Sequence, residues 1–274
     1  VASLPQSTPI LFRQAFFLPV RMLLHPRFHL GTSGWSYPWQ GVFYPDGLRS
    51  PEYLEYYATR FDCTEINSSF YHYTMAKTVE KWLAETPDYF RFAPKMIREI
   101  THERKFMDVE EALEKFMSRF LLMGDRLGPV LIQIAASFPF EPWVAGPFFE
   151  LLRQKYPEPA FAFEARHRSW FTDEAQELLR THHISWVIAS SGGRFPELET
   201  VTTDTVYLRL HGEEKLYDSH YSQESLEKYS FLIKDWLEQG KDVWMFFNNT
   251  MHAQAVEDSG KLNGLLKAML EDLM

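Results

Sequence analysis

Glu65, Asn67, Lys95, Gln133, Glu164, Arg166, Arg209 and His211 all stand within or directly after short apolar or β-branched runs. An ionisable side chain in such a position is costly unless it is paired or put to use. Two carboxylates, three cations and an imidazole arranged this way have the chemistry of an anion site with acid–base groups beside it. Arginine forks and a lysine point charge hold phosphate or carboxylate, while a carboxylate beside an imidazole moves protons. The residues therefore predict an enzyme acting on a phosphate- or carboxylate-bearing substrate by general acid/base catalysis, with phosphodiester hydrolysis as one form. Lys95, Arg166 and Arg209 bind the anion, with Asn67 and Gln133 beside them, and Glu65 or Glu164 works with His211 or His102 on protons.

Other readings of the same residues stay open. Glu65 and Glu164 as paired carboxylates, with Trp35, Trp170 and Tyr217 as stacking surfaces, support glycoside or sugar-phosphate chemistry. A noncatalytic anion-binding protein is a third reading, and a self-neutralising ionic network is the purely structural one. Trp35, Trp39, Tyr71, His102, His167, Trp170, Tyr217, Tyr221 and Asn249 fall in expected loops or strand ends and complete the cleft. His102, His167 and His211 with Glu65 and Glu164 could assemble a nitrogen and oxygen metal site, a further reading, but they lack the local spacing of a metal motif and nearby cations repel a dication, so no metal is assigned. No phosphate-cradling glycine loop is present either; Ser190 to Gly193 reads as a turn, and no cofactor is expected.

The elements that carry these residues follow from side-chain alternation. In Val206 to His211, Leu208 and Leu210 share one face, and Arg209 and His211 the other. Phe161 and Phe163 alternate with Glu164 in the same way, Ile66 is flanked by Glu65 and Asn67, Ile132 and Ile134 bracket Gln133, and Lys95 is out of phase with Phe92. Apolar faces meet helices, so the polar set points inward near the C-terminal strand ends, where barrels place catalytic groups. The expected strands are Phe28 to Thr32, Cys63 to Asn67, Phe90 to Lys95, Val130 to Ile134, Ala160 to Arg166, Ile184 to Ala189, Val206 to His211 and Asp242 to Asn248. Longer amphipathic stretches separate them. That alternation predicts a single-domain α/β (β/α)₈ TIM barrel over residues 28–274, preceded by an N-terminal extension, 1–27. Gly192, Gly193 and Pro196 leave no room for a full helix after the sixth strand, Pro51 opens a helix, and Asp108 with Glu111 has the spacing of a capping box.

Composition narrows the partners. The chain has 274 residues, of which 45% are hydrophobic and 16% aromatic, enough to fill a large interior. Its formal net charge of −9 offers no global attraction to nucleic acid or to an anionic membrane, so an anionic small molecule or phosphodiester needs a local basic cleft. Ile10 to Leu24 is interrupted by Arg13, Pro19 and Arg21 and is too short to span a bilayer. The single Cys63 fits a reducing cytoplasm. Met22 shortly precedes the first strand, which suggests that residues 1–21 are dispensable.

Ordered motifs add a resemblance. Gly31 to Tyr37 (GTSGWSY), Phe43 to Pro45, Glu65 to Asn67 with Ser69 to Tyr71, Thr101-His102, Glu164 to Trp170 (EARHRSW), Arg209 to Gly212 (RLHG), Tyr217 with Tyr221, and Phe246 to Asn249 (FFNN) resemble the signatures of the YecE-like family, the domain-of-unknown-function 72 group. The resemblance covers roughly Phe28 to Leu270 and implies a TIM barrel, but it names no reaction. Two places depart from the family pattern. Ile134 to Ala136 stands where a proline-containing turn is usual, and Glu257 to Gly260 (EDSG) replaces an Asn-Ala pair.

Overall fold

Each of the eight apolar runs forms a strand in the computed structural model, which describes residues 25–270. They are β1 (Phe28–Thr32), β2 (Cys63–Ile66), β3 (Arg91–Pro94), β4 (Val130–Gln133), β5 (Phe161–Glu164), β6 (Ser185–Ser190), β7 (Thr205–Leu210) and β8 (Asp242–Phe247). Helices fill the intervals: α1 (Tyr53–Ala58), α2 (Ala76–Ala84), α3 (Glu110–Phe120), α4 (Pro142–Lys155), α5 (Asp173–Thr181), α6 (Gln223–Glu238) and α7 (Gln254–Leu270). No helix of the described residues lies between β6 and β7, as the glycines and Pro196 dictate. The dispensability of residues 1–21 lies outside the described residues. His25 to Arg27, placed in the extension by sequence, already engage the sheet: Arg27 O accepts from Val243 N at 2.7 Å.

The architecture is α/β, with a curled parallel six-stranded sheet in the order β1-β8-β7-β6-β5-β4 and a parallel β2-β3 pair. The continuous ladder expected around eight strands is interrupted at two places among the described residues. Between β3 and β4 only isolated bridges form, flanked by Gly128 N to Phe92 O at 2.8 Å and Met96 N to Leu131 O at 2.7 Å. Pro94 lies between those two bonds and has no N–H to continue the ladder. Between β1 and β2, side chains replace the ladder. Leu30 N donates to Asp62 Oδ1 (3.1 Å), Thr32 N to Tyr57 OH (2.8 Å), and Thr64 Oγ1 to Thr32 O (3.2 Å). Gly31 allows this close approach, because an ideal Cβ there would fall well inside van der Waals contact of the Cys63 carbonyl oxygen.

Alternation sorts the side chains as expected. Phe28, Leu30, Ile132, Phe161, Phe163, Leu208, Leu210, Met245 and Phe247 pack among helix residues. Cys63, Ala93, Leu131, Ala162, Val187, Tyr207, Trp244 and Phe246 form a separate buried cluster on the inner face. One helix start differs from the sequence expectation. Asp108 takes a left-handed φ of 52°, its carbonyl accepts from Arg104 Nη1 at 2.8 Å, and Val109 becomes the N-cap of α3 without a side-chain cap bond. The reversal through Lys105 and Phe106, also at positive φ, carries Asp108 out of the capping position.

At the N-terminal end of the inner face, His29 stacks on Trp244 with ring centroids 4.0 Å apart. Its Nδ1 lies 3.1 Å from Asp62 Oδ2 and its Nε2 3.6 Å from Asp242 Oδ1. Burial pulls the imidazole pKa down, but hydrogen bonds and attraction from Asp242 and Asp62 outweigh it and raise the pKa to about 9. The stabilisation is therefore complete below the unfolded-state pKa of about 6.5 and is lost as pH rises through about 9. Urea unfolding at pH 6 and at pH 9.5 is expected to show the parent losing on the order of 2 kcal/mol more than His29→Gln. Equal losses would remove the assignment. Gly31→Ala is expected to cost more than about 2 kcal/mol by the same measurement, because backbone cannot give way as a side chain can.

Candidate active site

β7 delivers Arg209 to the inner face, between carboxylates from β2 and β5. Arg209 Nε and Nη2 donate to Glu65 Oε2 and Oε1 at 2.9 and 2.7 Å, and Nη1 donates to Glu164 Oε2. Glu65 also accepts from Tyr207 OH (2.9 Å) and Ser33 Oγ (2.9 Å), so four donors saturate a carboxylate with no exposed surface. Burial opposes the charge on Arg209, but Glu164 and Glu65 outweigh it and hold the guanidinium protonated. For Glu164, burial alone would raise the carboxyl, yet Arg209 and Arg166 keep it well below the usual carboxylate range. The ionic network considered from sequence is real for these three residues. It commits Glu65 and Arg209 to each other, and the lowered pKa of Glu164 disfavours the proton that a glycoside-cleaving acid carries.

Four groups around this network retain unspent chemistry. Arg166 gives Nε to Glu164 Oε1 at 3.0 Å and lies over the Phe195 ring at 4.5 Å, while its terminal nitrogens have no hydrogen-bond partner among the described residues. Lys95 is buried and donates Nζ to Gln133 Oε1 at 2.8 Å, with the Phe70 ring centroid 4.1 Å away and no ion pair among the described residues. Burial, then repulsion from Arg209, lowers its pKa to about 7, with Arg166 adding to the effect and Glu164 opposing it. His211 accepts at Nδ1 from Asn248 Nδ2 (2.9 Å), which leaves the proton on Nε2. That Nε2 is buried without a partner, 3.8 Å from Glu164 Oε1. Burial and Arg209 push the His211 pKa well down, so it is a neutral donor. His102 pairs through Nδ1 with Thr101 Oγ1 at 2.9 Å. Its pKa falls to about 4 through burial and then Lys95, Arg166 and Arg98, so it too is neutral.

The remaining expected residues divide between rim and scaffold. Asn67 is half-buried and donates to Ser33 O at 3.1 Å, and Gln133 is fixed by its own bond to Ile134 O. Trp35 is half-buried, edge-on to Trp82, and Tyr217 lies edge-on to His211 with a left-handed φ of 66°. His167 caps a short helical turn by accepting from Ser169 N. Trp170, expected as a cleft wall, is core: it has no exposed surface, packs on Phe163, and donates Nε1 to Phe138 O at 3.0 Å. Tyr221 and Asn249 are also scaffold. Tyr221 OH accepts from Gly212 N, while Tyr221 N and Asn249 Nδ2 both donate to the buried carboxylate of Asp258, inside the departing EDSG segment. Trp39 is buried and Tyr71 exposed. Sequence reasoning missed Ser33, Tyr207, Phe70 and Asn248. Tyr207 was within reach, since it shares Arg209's parity one step back along β7. Among the described residues, no three His, Cys, Asp or Glu side chains stand together as metal ligands would.

A family profile described as Protein of unknown function DUF72 matches residues 29–273. The UPF0759 protein YunF of Bacillus subtilis is 26% identical over 275 residues, covering 87% of this chain and 94% of the relative. UPF0759 protein YecE of Escherichia coli K12 is 29% identical over 159 residues, 57% of this chain and 55% of the relative. The crystal structure of a DUF72 family protein from Thermotoga maritima superposes with a TM-score of 0.78 at 31% identity, covering 88% of this chain and 99% of that one. A DUF72 family protein from Enterococcus faecalis matches in fold, with a TM-score of 0.76 at 19% identity over 87% and 95% of the two chains.

The network makes a stability prediction. Removing Arg209 strands two buried carboxylates, so Arg209→Met is expected to cost about 3–5 kcal/mol in urea unfolding at pH 7. Tyr207→Phe removes one donor from a carboxylate that keeps three others, and should cost about 1–2 kcal/mol. Equal costs for the two variants would contradict Arg209 as the central tie.

Proposed function

The chain belongs to the DUF72 family, whose description assigns no reaction, and from that premise we propose that it is an enzyme acting on a phosphate- or carboxylate-bearing small molecule. The observation that carries this reading is the cluster of donors left over once Arg209, Glu65 and Glu164 have neutralised one another: the Arg166 terminal nitrogens, the unpartnered Nε2–H of His211, and Lys95. An anion against these groups gains a guanidinium fork, a neutral N–H and an ammonium in a site of low dielectric. It also meets Lys95, poised near neutral pH, and neutral His102 as groups that can exchange protons. Phosphodiester cleavage is the hydrolytic form of this chemistry.

The proposal extends to the setting of the site. Closure of the eight strands into a complete (β/α)₈ barrel is supported by an inner cluster drawn from β2 to β8 and by the side-chain bonds that link β1 to Tyr57 of α1, to Asp62 just before β2, and to Thr64 of β2. A cytoplasmic location is supported by the cysteine usage, a single Cys63 in the sequence, buried in the fold. No helix of the described residues is long and apolar enough to cross a membrane.

Calorimetry with inorganic phosphate tests the anion site, and a panel of phosphomonoesters and phosphodiesters tests turnover. The parent is expected to bind phosphate at millimolar concentration or better, Arg166→Ala about ten-fold more weakly or worse, and Arg166→Lys between them. Sulfate, whose charge is constant across neutral pH, should bind more weakly at pH 8 than at pH 6 as Lys95 loses its proton, and Lys95→Met should abolish that dependence. Failure of the parent to bind either anion at millimolar concentration would overturn the reading; binding without turnover of any ester would remove its hydrolytic form and leave the anion site.

A further inference from the structure

Lys95 is placed unlike the other cations of the site. Arg209 has two carboxylates and Arg166 has one, whereas Lys95 has an uncharged amide oxygen and an aromatic face. A lysine needed only for neutralisation would sit against Glu164 or Glu65, but both are occupied by arginine. The charged groups acting on it are Arg209 of β7, Glu164 and Arg166 at the end of β5, and Glu65 of β2, with His102 following β3. Their balance, together with burial, brings the free amine into a substantial population near pH 7. A desolvated amine beside other cations is the arrangement that makes lysine a nucleophile towards carbonyl carbon.

We propose that Lys95 forms an imine with the carbonyl group of an anionic oxo compound, a 2-oxo acid or a phosphorylated aldehyde or ketone, whose anionic end is held by Arg166 and His211. The proposal rests on the anion-site reading and narrows its substrate class. In the step itself, the Nζ lone pair adds to the carbonyl carbon, and the C=O π electrons move to oxygen. The two protons lost by nitrogen end on that oxygen, which leaves as water when C=N forms. Amine plus carbonyl gives imine plus water, so no oxidant, reductant or further reactant is needed. Gln133 Oε1 accepts from Nζ and can keep the amine oriented, and Phe70 covers it without supplying an opposing charge.

Borohydride trapping tests this on the full chain. The protein is incubated at pH 7.5 with pyruvate or glyceraldehyde 3-phosphate, with neutral glyceraldehyde as control, then reduced and mapped by peptide mass spectrometry. The expected result is a reduced adduct on Lys95 that forms about ten-fold or more faster than on the other lysines, is slowed by inorganic phosphate, and is less favoured with glyceraldehyde. Lys95→Arg should lose this adduct, and mapping of the parent protein identifies the site even if that variant folds poorly. Labelling of Lys95 no faster than surface lysines overturns the proposal. If phosphate binds the parent by calorimetry but Lys95 is not trapped, the imine fails while the anion site stands. Fast trapping that phosphate does not slow, with no phosphate binding, retains the amine as nucleophile and overturns its coupling to the anion site.

Discussion

The bond between Arg209 and its two carboxylates sets the terms for everything near the strand ends. Taking one guanidinium and two carboxylates out of water is unfavourable, and is tolerated only because the fork meets Glu65 with two nitrogens and Glu164 with a third. Ser33 and Tyr207 satisfy what remains of Glu65. These partners come from β2, β5 and β7 and from the segment after β1, so the interaction is also a statement about topology: strands distant in sequence must converge for the charges to be buried at all. Once they do, the carboxylates are spent. Lys95 and the outer edge of Arg166 are left with a surplus of positive potential inside a chain of net charge −9.

Much of this was legible because alternation on a strand is rigid. Knowing that Leu208 and Leu210 face helices fixes where Arg209 points, and the same logic places Glu164 against Phe163 and Lys95 against Phe92. What alternation could not reveal was pairing. It could not say that Glu65 would be saturated and Lys95 left without a carboxylate, because that depends on distances across the inner face. Nor could it give protonation: burial beside Arg209 makes His211 neutral, which strand parity does not show. Aromatic residues in loops were the least legible, since a Trp at a strand end serves the core as readily as a cleft, and Trp170 serves the core.

Backbone details were hidden for a different reason. The missing ladder bonds at β3 follow from Pro94, but only once the pairing partner is known, and the loss of the Asp108 cap depends on left-handed residues that carry ordinary side chains. The segment between β6 and β7 was readable because glycine and proline limit backbone choices directly. Local rules succeeded where they prohibit and failed where several conformations were allowed.

The seam between β1 and β2 is joined by side chains where a peptide ladder would otherwise run. A peptide ladder resists shear because its bonds repeat along both strands, whereas the hydroxyl of Tyr57 and the carboxylate of Asp62 hang on side chains that can pivot separately. Glu65, on the β2 edge, is fastened to Arg209 on β7, two strands beyond β1 in the six-stranded sheet, so the charge pair lies across this slit as a tie-rod does across a split ring. Between these two strand groups the Arg209–Glu65 tie is made of ions instead of peptide groups, so its strength is an electrostatic property.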